Sequence, residues 1–278
     1  MAQSAGNRSG KGDCRVAEIG MVRRETEWRG ARVSWFEAGQ GPAVILLHGG
    51  GGTGKAWQAQ MQALGGRYRV LAPDMPGFGR SDWVEGVRNP QALGTVIWAW
   101  ADTLWGVDQV VLGGNSMGGR VALAAALERP ARVRALVLLD AVGVRLPEVP
   151  VVNPLDLPPG KFVEGLVYDP AAYRRRTPYR TLEDAQELAR GRESFRRYVG
   201  QGPITFDPDA PLDRLTMPAL LIWGREDRIV PLPYGQALAA RLPRAELVVL
   251  DHCGHLPHIE APELVNGLVR NFLDRLPA

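Results

Sequence analysis

Short apolar runs recur along the chain, most of them running straight into Gly, Asp or His, with stretches of helical spacing between them. Residues 32–37, 43–47, 69–72, 109–112, 135–139, 219–223 and 246–250 read as strands. Residues 56–64, with Trp57, Met61 and Leu64 on one stripe, read as a helix, as do 92–104, 117–128 and 262–276. Strands that are apolar on both faces and alternate with helices predict an α/β domain with a mostly parallel sheet covered on both sides. Between residues 142 and 213 the strand rhythm stops. That segment is rich in proline and charge, shows an amphipathic pattern over 182–195, and reads as a helical insertion covering the functional edge of the sheet. The expected organisation is a flexible leader over 1–20, a core made of 21–141 and 214–278, and a helical lid over 142–213. There is no internal repeat.

Charge changes this picture little. Thirty-three basic residues against 30 acidic leave a net charge of +3, and the arginines are scattered among acids, so nucleic acid is not an expected partner. A small-molecule substrate is, and the basic balance leaves room for an anionic one. The two cysteines, Cys14 and Cys253, make no disulfide framework, which fits a reducing cytoplasm. The first 20 residues lack the apolar stretch of a signal peptide, and the apolar runs fall far short of the ~20 residues a membrane span needs. The expectation is a cytoplasmic protein with no membrane contact; a homo-oligomer stays open.

Chemistry enters at Gly113-Gly114-Asn115-Ser116-Met117-Gly118-Gly119, between a strand and an Ala-rich helix. A serine on so sharp a turn is lifted clear of the sheet, and glycines two residues to either side let strand and helix approach closely. The new helix also aims backbone N–H groups, Met117's among them, at developing negative charge. Serine alone is a poor nucleophile and needs a base, which needs a third group to fix its tautomer. After the strand at 219–223, Gly224-Arg225-Glu226-Asp227 supplies the acid. After the strand at 246–250, Asp251-His252-Cys253-Gly254-His255-Leu256-Pro257-His258 supplies the imidazole. His255 is the preferred base because Gly254 permits a sharp loop; His252 abuts the strand and His258 leads into the next helix. Asp140, directly after the strand at 135–139, is a rival for the acid. The grouping of His252, Cys253, His255 and His258 also admits zinc, but there is no regular spacing and no second half, so no metal and no organic cofactor is expected.

The run His48-Gly49-Gly50-Gly51-Gly52-Thr53-Gly54-Lys55-Ala56 fits two chemistries. It can be an oxyanion loop in which Gly50 N–H meets a tetrahedral intermediate, or a phosphate loop matching G-x-x-x-x-G-K. Ala56 stands where a phosphate loop needs Ser or Thr to hold magnesium, and a nucleotide site leaves Ser116, Asp227 and His255 without a purpose.

Taken together these residues resemble the α/β-hydrolase superfamily over nearly the whole chain after the leader. Within it they look most like the meta-cleavage product hydrolases, which break a carbon–carbon bond in 2-hydroxy-6-oxo-dienoates formed by aromatic ring fission. The likeness rests on Gly114 to Gly119, His48-Gly49-Gly50-Gly51, Trp223-Gly224-Arg225-Glu226-Asp227, Cys253-Gly254-His255, and, in the insertion, Val167-Tyr168-Asp169-Pro170 and Gly191-Arg192-Glu193. The resemblance implies a lid inserted after the sixth strand, Ser116, His255 and Asp227 as catalytic residues, and Gly50 and Met117 as the oxyanion hole. It also implies Gly49, Gly51, Asn115, Arg192 and Leu256 at the substrate, with Arg192 gripping a carboxylate. Leu256 replaces a Trp usual in that family, and Gly52-Thr53 a Pro-Gly. A carboxylesterase, or a ligand receptor on the same fold, is the alternative.

Overall fold

The computed structural model describes residues 20–158, 160–199 and 210–277. The expected leader, apart from Gly20, and Cys14 lie outside them. Eight strands form one sheet: β1 (Val22–Trp28), β2 (Ala31–Ala38), β3 (Ala43–Leu47), β4 (Arg69–Pro73), β5 (Val110–Asn115), β6 (Val133–Leu139), β7 (Ala219–Gly224) and β8 (Ala245–Leu250). Their order is β1-β2-β4-β3-β5-β6-β7-β8. The β1–β2 and β2–β4 pairings are antiparallel, and every pairing from β4 onward is parallel. This is the expected mostly parallel sheet.

Side-chain parity explains why its inner strands are largely apolar. Val44 and Leu46 of β3 face one layer, with Met61 and Leu64 of α1 (Gln58–Leu64). Ile45 and Leu47 face the other, with Leu93, Ile97 and Trp98 of α2 (Pro90–Trp100) and Val121 of α3 (Met117–Glu128). A strand with a helical layer on each side has no solvent face on which polar residues would be favoured.

Three short-range features escaped the sequence reading. Strand β1, VRRETEW, is an edge strand that is mostly exposed, so it lacks an apolar pattern. It is held by a hairpin whose two linking residues, Arg29 and Gly30, both have positive φ (52° and 76°), as a tight primed turn requires. Helix α2 begins at Pro90, two residues before the expected start, because the Asn89 side chain accepts from Ala92 N at 2.8 Å. Below it the chain continues as a π-helical turn, Ala101–Trp105, closed by Gly106 in the left-handed region.

Between β6 and β7 lie α4 (Phe162–Leu166), α5 (Pro170–Arg176) and α6 (Leu182–Val199). Helix α6 was expected from its amphipathic pattern, but the face it buries is largely polar: Asp184, Glu187, Gly191 and Ser194, with Phe195. Each polar group meets a partner. Thr181 Oγ1 accepts from Asp184 N while Asp184 Oδ2 accepts from Thr181 N, a reciprocal cap. Lys55 Nζ donates to both oxygens of Asp184 at 2.7 and 2.9 Å, Arg23 donates to both of Glu187 at 2.6 and 2.8 Å, and Ser194 Oγ donates to Gly77 O. Lys55 is therefore committed to α6, which removes the phosphate-loop reading of its motif. Helix α7 (Leu232–Arg241) follows β7; α8 (Pro257–Glu260) and α9 (Pro262–Asp274) follow β8. Among the described residues, no helix is long and apolar enough to cross a membrane.

Candidate active site

Ser116 stands between the end of β5 and the start of α3 with φ 54° and ψ −118°, a conformation strained for any residue with a side chain. The glycines around it answer to close approach. A Cβ on Gly114 would come within 2.3 Å of Gly118 C, and one on Gly118 within 2.1 Å of Leu47 O. Strand, turn and helix can therefore meet only with bare backbone at both positions. Met117 is the first residue of α3, so its N–H has no intrahelical acceptor.

The loop after β8 brings in His255, which is 3% exposed. Its Nδ1 lies 2.7 Å from Asp227 Oδ2. That contact assigns the proton to Nδ1, leaving Nε2 as the basic nitrogen. Asp227 Oδ1 accepts from Ile229 N at 2.8 Å and Val230 N at 3.0 Å, so the carboxylate is fixed by its own loop. His255 N–H donates to Leu166 O at 2.7 Å, and Asn115 Nδ2 donates to His255 O at 3.0 Å. Asp140, the rival acid, is also here. Its side chain is fully buried, its Oδ1 accepts from Gly224 N at 2.9 Å, and ligand-type atoms of Asp140, Asp227 and His255 all lie within 4.8 Å of one another. Burial and the neighbouring Asp227 hold the Asp140 carboxyl well above the usual carboxylate range.

The other members of the His/Cys grouping go elsewhere. His252 Nδ1 meets the Tyr168 hydroxyl at 3.1 Å, His258 stacks on Trp57 with ring centroids 4.4 Å apart, and burial pushes the Cys253 thiol up. Desolvation, aided by His255, holds His258 down at about 3.

The glycine loop is built on His48. Its Nδ1 donates to Gly49 O at 2.8 Å, its Nε2 accepts from Met75 N at 3.1 Å, and burial lowers its pKa to about 4, so it is a neutral brace. Gly50 lies so close to Phe195 of α6 that a Cβ would come within 2.3 Å of the ring, and Gly51 faces Arg192.

A cavity joins these parts. Gly49, Gly50, Gly51, Asn115, Ser116, Arg192, His255 and Leu256, eight of the residues expected at the site, line it. Asp227 sits behind His255, and Met117 is buried at the head of α3. Arg192 is exposed at the cavity, with its guanidinium 6.0 Å from the centroid of the Phe162 ring. Among the described lining residues it is the one Lys or Arg, and none is Asp or Glu. The remaining lining includes Val142, Val151, Ile229 and Val230. Asn115 Nδ2 is spent on Leu139 O and His255 O, so Oδ1 is what it can turn to a ligand.

Glu260 of α8 was missed. Burial raises its pKa, and it accepts from Gly254 N (3.1 Å), Leu256 N (3.3 Å) and Tyr168 N (2.7 Å), clamping the His255 loop to the segment between α4 and α5. The one signal was an acid among apolar neighbours, Ile259 and Ala261, just past the histidine motif.

Residues 44–268 match the model of the alpha/beta hydrolase family. The chain is 32% identical over 268 residues to a 2-hydroxy-6-oxo-6-phenylhexa-2,4-dienoate hydrolase of Burkholderia cepacia, covering 87% of this chain and 91% of that one. It is also 32% identical to a 2-hydroxy-6-oxononadienedioate/2-hydroxy-6-oxononatrienedioate hydrolase of Burkholderia vietnamiensis, covering 88% and 91%. A solved meta-cleavage product hydrolase from Pseudomonas fluorescens superposes with TM-score 0.77 at 28% identity, covering 94% of this chain and 99% of that one.

Proposed function

This chain belongs to the α/β-hydrolase family, and from that premise we propose that it hydrolyses the carbon–carbon bond of a 2-hydroxy-6-oxo-dienoate, with Ser116 as nucleophile, His255 as base and Asp227 as the acid that orients it. The observation that carries this reading is the cavity lining: among the described residues, a single guanidinium, no carboxylate, and apolar walls around Ser116 and His255. The similarity to dienoate hydrolases over most of the chain agrees with it.

The chemistry follows from what a carbon–carbon bond needs in order to break. The dienol first becomes its keto form: His255 helps to move a proton from the 2-hydroxyl to C5. Ser116 Oγ then attacks the C6 carbonyl as His255 Nε2 takes the hydroxyl proton, and the oxyanion faces the N–H groups of Gly50 and Met117. When the C5–C6 bond breaks, its electron pair spreads through the conjugated system onto O2, giving a dienolate that takes up a proton. Water, deprotonated by His255, then releases the acyl group from Ser116. Asp227 stays ionised and stabilises the imidazolium at each transfer. Arg192 pairs with the C1 carboxylate, where two parallel hydrogen bonds favour a guanidinium.

The strand order also bears on the other end of the substrate. Gly51, against which Arg192 packs, follows β3; Ser116 follows β5; Val142 follows β6; Ile229 and Val230 follow β7. Ser116 therefore stands between a cationic side and an apolar side. An uncharged acyl group suits the apolar side, whereas a second carboxylate there would lose hydration without gaining a counter-ion. The substrate is a dienoate with an aryl or alkyl group at C6.

The test is turnover of 2-hydroxy-6-oxo-6-phenylhexa-2,4-dienoate, followed by loss of the dienoate chromophore and identification of benzoate and 2-hydroxypenta-2,4-dienoate. A kcat/KM at least about tenfold above that for the nonadienedioate is expected. Rapid cleavage of p-nitrophenyl esters with no dienoate turnover would make the protein a carboxylesterase instead.

A further inference from the structure

Hydrolysis as described leaves one buried carboxyl beside His255 without a task. Asp140, just after β6, has φ 44°, a left-handed conformation that costs a non-glycine residue energy, and its N–H donates to Ile222 O at 3.1 Å. One oxygen accepts from Gly224 N. The other, Oδ2, is buried and meets no donor. Asp227, by contrast, is fully supplied, with Ile229 N and Val230 N on one oxygen and His255 Nδ1 on the other.

Two ionised carboxylates this close in a dry site repel strongly, and one proton between them removes the repulsion. It belongs on the carboxyl with fewer donors, which is Asp140. We propose that Asp140 is a positioning residue: it carries a proton in the working enzyme, donates it through Oδ2 to the Asp227 carboxylate, and ionises to become the counter-ion of His255 only when Asp227 has lost its charge.

The surroundings are compatible with this. Among the described residues, Glu260 on α8 and the Cys253 thiol interact with the pair, His258 interacts with His255, and Glu226 Oε2 accepts from the Cys253 backbone N–H. None of them donates to Asp140 Oδ2. Burial and Asp227 both raise the Asp140 pKa, in keeping with a neutral carboxyl.

This rests on the reading of Ser116, His255 and Asp227 as one catalytic unit, and the experiment keeps the two separable. The protonation midpoint of His255 is followed by ¹⁵N NMR in the wild type, Asp140→Asn, Asp227→Asn and the double variant, alongside kcat/KM against pH. Asparagine at 140 reproduces both hydrogen bonds, so the midpoint should stay within about 0.3 unit and kcat/KM within about threefold. In the Asp227→Asn background the same change should lower the midpoint by a further unit or so and kcat/KM by about tenfold or more, because there Asp140 carries the charge. A midpoint lowered by a full unit in Asp140→Asn alone would overturn the proposal, since Asp140 would then be ionised in the wild type. So would the absence of any added effect in the Asp227→Asn background, or failure of Asp140→Asn to fold. Unimpaired turnover by Ser116→Ala would instead remove the catalytic reading, and the NMR midpoints would still decide the state of Asp140.

Discussion

At the rim of the sheet the reactive groups are held by backbone; along the first half of α6 the fold is held by charge. Ser116 is placed by a strained turn that only glycines at 114 and 118 permit, and Asp227 by two N–H groups of its own loop. Helix α6 instead crosses the glycine loop and β1 on ion pairs in its first half, Lys55–Asp184 and Arg23–Glu187, and packs Phe195, Tyr198 and Val199 only toward its C-terminal end, where Tyr198 stacks on Phe78 and Trp83. The difference has a physical consequence. A turn fixed by sterics has one geometry, whereas long charged side chains fix the first half of a helix less tightly than a packed core does. Under the proposed function, the chemistry falls to the backbone-fixed region and recognition of a carboxylate, through Arg192, to the helix held in part by charge.

Removing the nucleophile should have the largest effect. Ser116→Ala is expected to lower kcat by at least about 10³-fold with unchanged circular dichroism, as triad deletions do elsewhere. A smaller loss would show that the rim does not carry the reaction. Arg192→Ala should raise KM for a dienoate by roughly tenfold or more and leave a neutral p-nitrophenyl ester unchanged. An equal effect on both would mean that Arg192 acts on α6 packing and not on a carboxylate.

Breaking the seam should act on stability before activity. Lys55→Met leaves a mostly buried Asp184 without its cation, although Arg180 N and Thr181 N still donate to it. Urea unfolding should register a loss of about 1–2 kcal/mol, below the full cost of breaking a buried pair because Lys55 is partly exposed. No loss would remove the ion pair as a support of α6.

A pH dependence of stability is carried by the rim without any substitution. Desolvation holds His48 at about 4 and His258 at about 3, against an unfolded value of 6.5. Both depressed histidines favour the folded state fully above pH 6.5. As pH falls from 6.5 toward 4 the unfolded chain binds protons that the folded one refuses, so stability is lost at up to roughly 1.4 kcal/mol per pH unit for each. Thermal unfolding at pH 7, 6 and 5 should show this, with a shallower slope in His258→Gln. A slope unchanged by that substitution would assign the loss to other groups.

The same contrast explains what could be read from residues alone. Strands β3 to β7 were legible because burial on both faces leaves mostly apolar side chains, β8 because its apolar run survives at a partly buried edge, and the three site loops because glycines mark places where a Cβ cannot fit. Strand β1 was not, because an exposed edge carries no such pattern. The polar contact face of α6 was not either: Asp184 and Glu187 look like solvated residues until Lys55 and Arg23, more than a hundred residues away, are brought against them. Glu260 was missed for the same reason, since its three partners are backbone N–H groups, which sequence does not distinguish. Asp140 was noticed as a competitor for Asp227; that both stand beside His255 needed coordinates.

Whether the three loops act as one catalytic unit is tested most directly by the single variants Ser116→Ala and His255→Ala and their double, assayed on the same substrate. Groups that work together should be non-additive, with the double variant losing no more than about tenfold beyond the worse single one. Losses that multiply would contradict a shared step.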